Sequence, residues 1–388
     1  MRDAVVVAAV RSPVGKRNGS LSTVHPADLS AHVLQELARR SDLDPSVVDD
    51  VVWGCVSQAG EQTFDIARTA VLSAGWPESV PGTTIDRQCG SSQQAIHFAA
   101  AGIVSGQYDV AVAGGVESMS RVPMGSAAGT QSPLGELYAK RYSPEFPSQG
   151  LGAETIARRW SLSRTQLDDY ALQSHARADN ASRGGAFSGQ MVPIETAAGA
   201  FVVDEGIRPG STLEILGTLK TPFLPDGRIS AGNSSQISDG SAALLLTTSE
   251  YAASHGWTPL VRVHTAVVAG SEPNVMLTGP IPATEKLLAK SGISLSDIGA
   301  FEVNEAFASV VLAWQSEFKV ADELLNPLGG AIALGHPLGG SGARIATTLI
   351  SHMVDNDIRY GMQTMCEGGG QANATLFELV GAGTRGRG

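Results

Sequence analysis

One pattern occurs twice in this chain of 388 residues and limits its fold more than any other feature. In the first half, CGSSQQAIHFAAAGI (89–103) leads to DVAVAGG (109–115). In the second, AIALGHPLGGSGARIATTLI (331–350) leads to YGMQTMCEGGG (360–370). Each copy has a Gly/Ser opening, a helix of small residues and a strand ending in glycines. Cys89 and Gly114 stand 25 positions apart, Gly340 and Cys366 26. Matched spacing of this kind points to an internal duplication.

Around the two copies, short apolar runs alternate with helical stretches. Val5–Val10, Val51–Val56, Asp109–Ala113, Ala242–Thr247 and Ala300–Val303 read as strands, and Ala27–Arg40 and Ile66–Ala74 as helices. The alternation predicts α/β layers around a mostly parallel sheet. The middle differs. Residues 118–150 are rich in Gly, Ser, Pro and Gln, Glu154–Arg183 reads as a polar helical region, and 184–232 as loops and turns. The expected division is an N-terminal half (1–117 with 233–250), an inserted loop domain (118–232) and a C-terminal half (251–388).

Composition excludes several classes of function. With 27 Lys and Arg against 38 Asp and Glu, the net charge is −11. Phosphate binding needs a basic surface, so no nucleic-acid partner is expected. A chain 43% hydrophobic and 17% charged is not disordered. No apolar run approaches the roughly 18–20 residues that span a bilayer, so no membrane partner is expected. The opening RDAVVVAAV is too short for a secretory signal, and the closing GAGTRGRG carries no peroxisomal or prenylation signal. Three cysteines make no disulfide scaffold and point to a reducing cytoplasm. Glycine is in excess, 45 residues or about 12% against a usual share near 7%.

Four constellations could carry chemistry. Cys89 precedes the first small-residue helix, whose dipole is expected to lower the thiol pKa; a buried hydrophobe is the plain alternative. His336, in Gly335-His336-Pro337, is the one histidine of eight on a glycine-dense loop before a helix, where it can serve as a general base. The other seven read as surface or core. Cys366 stands before Gly368-Gly369-Gly370, whose exposed N–H groups suit an oxyanion. Asn304 follows a strand and can hold a water or a carbonyl, or simply cap a helix. There is no P-loop, no nucleophile elbow and no C-x-x-C pair. Cys55 reads as strand packing.

Taken together, the motifs resemble the thiolase family over essentially the whole chain. The matches are Arg11-Ser12-Pro13-Val14-Gly15, Gly54-Cys55-Val56, Gln88-Cys89-Gly90-Ser91, Gly114 to Ser120, Asp204 to Pro209, Ala231 to Ser235, Asn304-Glu305-Ala306-Phe307, Gly335-His336-Pro337 and Cys366. The resemblance implies an α/β thiolase fold, a duplicated αβαβα five-layered structure with a substrate- and CoA-binding loop domain inserted. It implies CoA-dependent cleavage of 3-ketoacyl-CoA to acetyl-CoA and a shortened acyl-CoA, or the reverse Claisen condensation, by ping-pong through an acyl-cysteine. Cys89 would be the nucleophile, His336 its activator and Cys366 the acid/base. One oxyanion hole would be His336 with a water held by Asn304, the other the N–H groups of Cys89 and Gly368. Ser235 matches a position near the pantetheine. Lys220 matches one near the nucleotide end of CoA, where an Arg is familiar. Coenzyme A enters as substrate; no bound cofactor and no metal are expected. The partners implied are CoA thioesters and a second copy of the chain, as dimer or tetramer, or a partner subunit of a β-oxidation complex.

Two other readings are weaker. Decarboxylating ketoacyl synthases carry a histidine where Asn304 stands and lack the base cysteine, and non-catalytic relatives generally lose one of the two active cysteines. Three departures from the family pattern carry expectations. Glu367 follows the base cysteine where a small residue is common, and would raise the Cys366 pKa if it points inward. Leu328 replaces a frequent asparagine, which is expected to loosen a structural hydrogen bond. Ser148-Gln149-Gly150-Leu151-Gly152 lacks the His-Met-Gly run of short-chain enzymes, hinting at a longer or bulkier acyl group.

Overall fold

The computed structural model describes residues 2–142 and 147–381. The closing GAGTRGRG therefore lies outside the described residues beyond its first glycine. The N-terminal half contains β1 (Val5–Arg11), β2 (Gly15–Lys16), α1 (Pro26–Ser41), β3 (Asp50–Gly54), α2 (Ile66–Ser73), β4 (Gly82–Ile85), α3 (Ser91–Ser105) and β5 (Val110–Ser118). An excursion follows, with α4 (Glu136–Arg141), α5 (Gln149–Arg159), α6 (Arg164–Arg183), a hairpin of β6 (Ile194–Thr196) and β7 (Gly199–Phe201), and α7 (Leu213–Gly217). The chain returns through β8 (Ser238–Thr247) and α8 (Ser249–Ser254). It then forms β9 (Val261–Gly270), α9 (Pro280–Ser291), β10 (Ala300–Val303), α10 (Ala308–Phe318), α11 (Ala331–Leu334), α12 (Leu338–Asp355), β11 (Tyr360–Glu367) and β12 (Gln371–Leu379).

The strand order makes the duplication visible. β3, β5, β8 and β1 lie side by side in one half, and β10, β11, β12 and β9 in the other. In each set the first pair is parallel and the next two pairings antiparallel. The halves meet edge to edge where Val5 and Val6 pair with Arg262 and Val261, making one ten-stranded sheet.

The sheet is mixed, not mostly parallel as the strand–helix alternation suggests. Parallel pairing is confined to β3–β4, β3–β5 and β10–β11. The reason is connection length. Only Gly368-Gly369-Gly370 joins β11 to β12, and a parallel crossover needs a dozen residues or more.

Burial patterns assign the helices to layers. Helix α12 is buried on every side from Leu338 to Ile350, and α3 from Ser91 to His97. A helix without a polar face belongs in the interior. The two pack on each other between the two sets of strands. There Gly342 is needed, because a Cβ on it would sit 2.2 Å from the Gln93 nitrogen. Helix α1 instead buries one stripe, Leu29, Val33, Leu34 and Leu37, against β1 and β8 as an outer layer. Helix α9 covers β9 and β12 outside the second set. The five layers αβαβα follow.

The polar helical region from Glu154 consists of two helices, the first ending just before Ser161 (φ +54°) and the second started by a capping box between Ser163 and Gln166. That Ser-x-x-Gln signal was present in the sequence. Helices α5 and α6 pack on α10, and α6 on α11, so the excursion leans on the loops that carry Asn304 and His336.

Candidate active site

The N-terminal ends of the two central helices face the same region, and the duplicated motifs meet there. Cys89 sits one residue before the N-cap Gly90 of α3, in a tight turn. Gln88 holds φ +49°, a strained value for a residue with a long side chain. The turn is locked from both sides. The Gln88 N–H donates to Asp86 Oδ1 (2.6 Å), the Arg87 N–H to Ser91 Oγ (2.9 Å), and Ser91 Oγ to the Gln88 carbonyl (2.6 Å). Met119, Leu338, Ile345 and Met365 cluster around the buried Cys89.

The backbone N–H groups of Cys89 and of Gly368 lie close enough to the Cys89 sulfur to act on its thiol. They are the two N–H groups that the family resemblance implies for an oxyanion hole. The lowered thiol pKa is not found: burial pushes it up to about 12, with Glu367 adding to the rise and the two N–H groups opposing it. Desolvation outweighs the helix end because the thiol is fully enclosed. Cys366, near the end of β11, is buried close to Cys89, and its thiol is held well above the usual range by burial, then by Cys89 and Glu367. Glu367 therefore does point inward.

His336 lies between α11 and α12. Its Nδ1 is 2.6 Å from Ser341 Oγ, and Ser341 Oγ donates to the Pro337 carbonyl at 2.8 Å. A hydroxyl has one proton. With that proton given to Pro337, Ser341 accepts the Nδ1–H of His336 and leaves Nε2 bare. Burial, then Arg344, lowers the imidazole pKa to about 3, so the ring is neutral and can accept a proton. Asn304, just after β10, donates Nδ2 toward Nε2 at 3.5 Å, and among the described residues its buried Oδ1 has no donor. Among the described residues no hydrogen bond joins His336 to Cys89, and such bonds often tighten only with substrate.

Two buried carboxyls that sequence reasoning left without a role tie this region together. Glu305 accepts from Tyr170 and Ser174 on α6, from Asn326 and from the Ile332 N–H. It thus fixes the excursion to the loop beside Asn304. Glu117 accepts from the Val56, Ser57 and Gly339 N–H groups and from Gln62, linking β3 to the start of α12. Both lie in motifs quoted above, but nothing in spacing reveals their partners. Ser341 was missed for the same reason. Leu328 packs on the cluster of Ala178, Phe187 and Leu334, while Asn326 holds the loop through Val303, Tyr170 and Glu305. The side chain at 328 is not needed as a hydrogen-bonding group.

Cys55 follows β3 directly and is buried packing. His97 and His175 are core histidines, bonded to Thr375 Oγ1 and to the Arg208 N–H. Ser235 is half-buried and anchored by its N–H to the Ala306 carbonyl, beside the Asn304 loop. Lys220 is exposed after α7, and among the described residues no hydrogen bond joins it to the cysteines.

A duplicated five-layered scaffold with paired thiols at the junction of its halves is the build of an acyltransferase. The chain belongs to the thiolase family. Residues 4–250 match the family domain described as thiolase, N-terminal domain, and residues 257–379 the thiolase, C-terminal domain. The chain is 48% identical to a steroid 3-ketoacyl-CoA thiolase of Mycobacterium tuberculosis, over 98% of this chain and 95% of that one. It is 45% identical to a 3-ketoacyl-CoA thiolase of Pectobacterium carotovorum, over 98% and 100%. Among solved structures it resembles acetyl-CoA acetyltransferase of Bacillus anthracis, with TM-score 0.90, 38% identity and coverage of 98% and 99%. It also resembles human mitochondrial 3-ketoacyl-CoA thiolase, with TM-score 0.89, 36% identity and the same coverage.

Proposed function

We propose that this protein is a 3-ketoacyl-CoA thiolase that works through an acyl-cysteine at Cys89. The observation that carries the assignment of residues is the convergence of the Cys89 and Gly368 N–H groups on the Cys89 sulfur, with Cys366 beside it. His336 Nε2 takes the Cys89 proton as the sulfur attacks the 3-keto carbon. The oxyanion formed there, on the carbon bonded to the Cys89 sulfur, is received by the N–H groups of Cys89 and Gly368 beside that sulfur. Carbon–carbon cleavage leaves the acyl group on Cys89 and releases acetyl-CoA as an enolate, which Cys366 protonates. The enolate oxygen is met by the new His336 Nε2–H and by a water on Asn304. Cys366 then takes the proton of incoming CoA, whose sulfur removes the acyl group and regenerates Cys89. One hard step becomes two easier ones, and fixed donors avoid reorganisation when charge develops.

The remaining assignments belong to the same reading. Ser235 and Lys220 would contact CoA, with the 118–232 excursion as the binding domain between halves 1–117 with 233–250 and 251–388. The absent His-Met-Gly run and the steroid relative favour a long or bulky acyl group. Exposed Phe64, Phe98 and Leu137 give a second copy apolar surface to cover, as dimer or tetramer. Three free thiols fit a reducing cytoplasm, and among the described residues no helix is long and apolar enough to cross a membrane.

The test is Cys89→Ala, assayed by loss of the Mg²⁺–enolate absorbance over a chain-length series of 3-ketoacyl-CoA substrates. Loss of all CoA-dependent cleavage, with no acyl adduct by mass spectrometry, is expected. Wild-type turnover would remove Cys89 as nucleophile.

A further inference from the structure

We infer that Glu367 serves as a protonated carboxylic acid buried beside the two cysteines, and that loss of its proton sets the alkaline limit of the enzyme. The inference rests on the thiolase reading of Cys89 and Cys366.

The geometry is a lock between two turns. A Cβ on Gly90 would lie 2.0 Å from Glu367 Oε1 and 2.7 Å from Asn373 Nδ2. The carboxyl thus rests directly on the α-carbon of the residue after the nucleophile. In return, a Cβ on Gly368 would meet Gln88 Oε1 at 2.7 Å. Glu367 is buried, although it ends a strand beside a glycine turn.

Among the described residues no donor reaches either oxygen of Glu367. Asn373 gives its N–H to the Gly90 carbonyl at 3.0 Å, and its own Oδ1 also lacks a donor. Arg87, the nearest cation, turns Nη1 to Gln371 Oε1 at 2.9 Å and leaves Nε unbonded. The pocket therefore holds three buried acceptors that receive no hydrogen bond, and the Arg87 Nε–H beside them is not turned to any of them. Glu117, buried in the same region, accepts from four donors. A buried carboxylate without donors is far costlier than a buried carboxylic acid, and a proton on Glu367 converts one of the acceptors into a donor. Burial raises its pKa to about 8; Arg87 opposes the rise and Asp86 adds to it.

The groups that face this carboxyl are few. The turn ahead of α3 supplies Asp86, Arg87 and Cys89. Its own strand supplies Cys366, and β12 supplies only the neutral Gln371 and Asn373. From β5, Glu117 acts on Cys89 as a smaller influence in the same direction as Glu367. Neutral, Glu367 leaves both thiols free to ionise in turn during catalysis. Ionised, it sets a like charge beside each, and a like charge within a few ångströms moves a pKa by about a unit or more. Glu367 acts on the reaction through the cysteines, as a positioning residue in the electrostatic sense.

The test is Glu367→Gln, which keeps the shape and cannot ionise. Two profiles are measured from pH 6 to 10: kcat/KM for thiolysis, and the rate of Cys89 alkylation by iodoacetamide, read by mass spectrometry. In the wild type, kcat/KM is expected to fall above pH about 8, and the alkylation profile to flatten near the same pH before rising again. In Glu367→Gln the fall moves up by about one unit and the flattening vanishes, so that alkylation at pH 9 is roughly tenfold faster than in the wild type. Identical profiles in the two proteins would overturn the inference. If the variant does not fold, the wild-type alkylation curve decides alone: a single-proton curve without a break near pH 8 overturns it. Cys89→Ala separates the two readings, since activity in that variant breaks the nucleophile assignment, whereas matching pH profiles break only the role of Glu367.

Discussion

Ser341→Ala tests how His336 is held in its reactive form. In the wild type the Ser341 hydroxyl donates to Pro337 and accepts the Nδ1–H at 2.6 Å, which leaves Nε2 free to take the Cys89 proton. Alanine removes the acceptor in a place with no solvent, since Ser341 is fully buried. The ring then has two choices. It keeps the proton on Nδ1 with no partner, or moves it to Nε2, where the Asn304 amide already points a donor at 3.5 Å. An orphaned buried donor costs about 1–3 kcal/mol. At 1.36 kcal/mol per decade, the reactive tautomer loses roughly 5- to 150-fold, and kcat/KM for thiolysis should fall by that factor. The assay is initial-rate cleavage of a 3-ketoacyl-CoA, with circular dichroism to verify the fold. A folded Ser341→Ala variant within twofold of wild type would refute the tautomer argument.

Two further changes follow from the buried polar contacts. Glu305→Gln replaces one accepting oxygen by an NH₂ that faces donors, so two of the four bonds from Tyr170, Ser174, Asn326 and Ile332 are lost. The expected cost is about 3 kcal/mol in urea unfolding, with a fall in kcat as the Asn304 loop loosens; an unchanged midpoint would show that Glu305 does not hold the excursion. His97 is pressed down to about 3 by burial and then by Arg87, whereas in the unfolded chain it titrates near 6.5. Its folded pKa is depressed, so its contribution to stability is present above about 6.5 and drains as pH falls toward about 3, by about 1.4 kcal/mol per unit. Glu302 and Glu367, raised to about 8, slope the other way, but they are common to wild type and variant. His97→Gln should therefore lose about 2 kcal/mol less than wild type between pH 6.5 and 5, and parallel curves would count against it.

Much of the candidate site was legible because its residues sit in short local motifs. Cys89, His336, Cys366 and Asn304 each stand at the end of a strand or the start of a helix, and those boundaries follow from local residue patterns. The repeated Gly/Ser–helix–strand unit announced the duplication before any coordinate did. What local pattern could not give was anything that depends on two distant segments meeting. The sheet was expected to be mostly parallel because strands alternate with helices; the three-glycine link from β11 to β12 and the return of β8 beside β1 made most pairings antiparallel. The thiol of Cys89 was expected to be acidified by its helix, yet enclosure by Met119, Leu338, Ile345 and Met365 raises it.

Two levels of determination separate here. The sequence by itself determined which residues are candidates for the chemistry and that the unit occurs twice, since both are properties of neighbours along the chain. Only the tertiary structure decided their protonation. Whether Glu367 faces solvent or Gly90, whether Ser341 receives the Nδ1–H, and which carboxyls find four donors and which find none, depend on burial and on partners up to 284 positions away, as Arg87 and Gln371 are. Solvation is a property of three-dimensional enclosure, and no spacing rule along a chain encodes it.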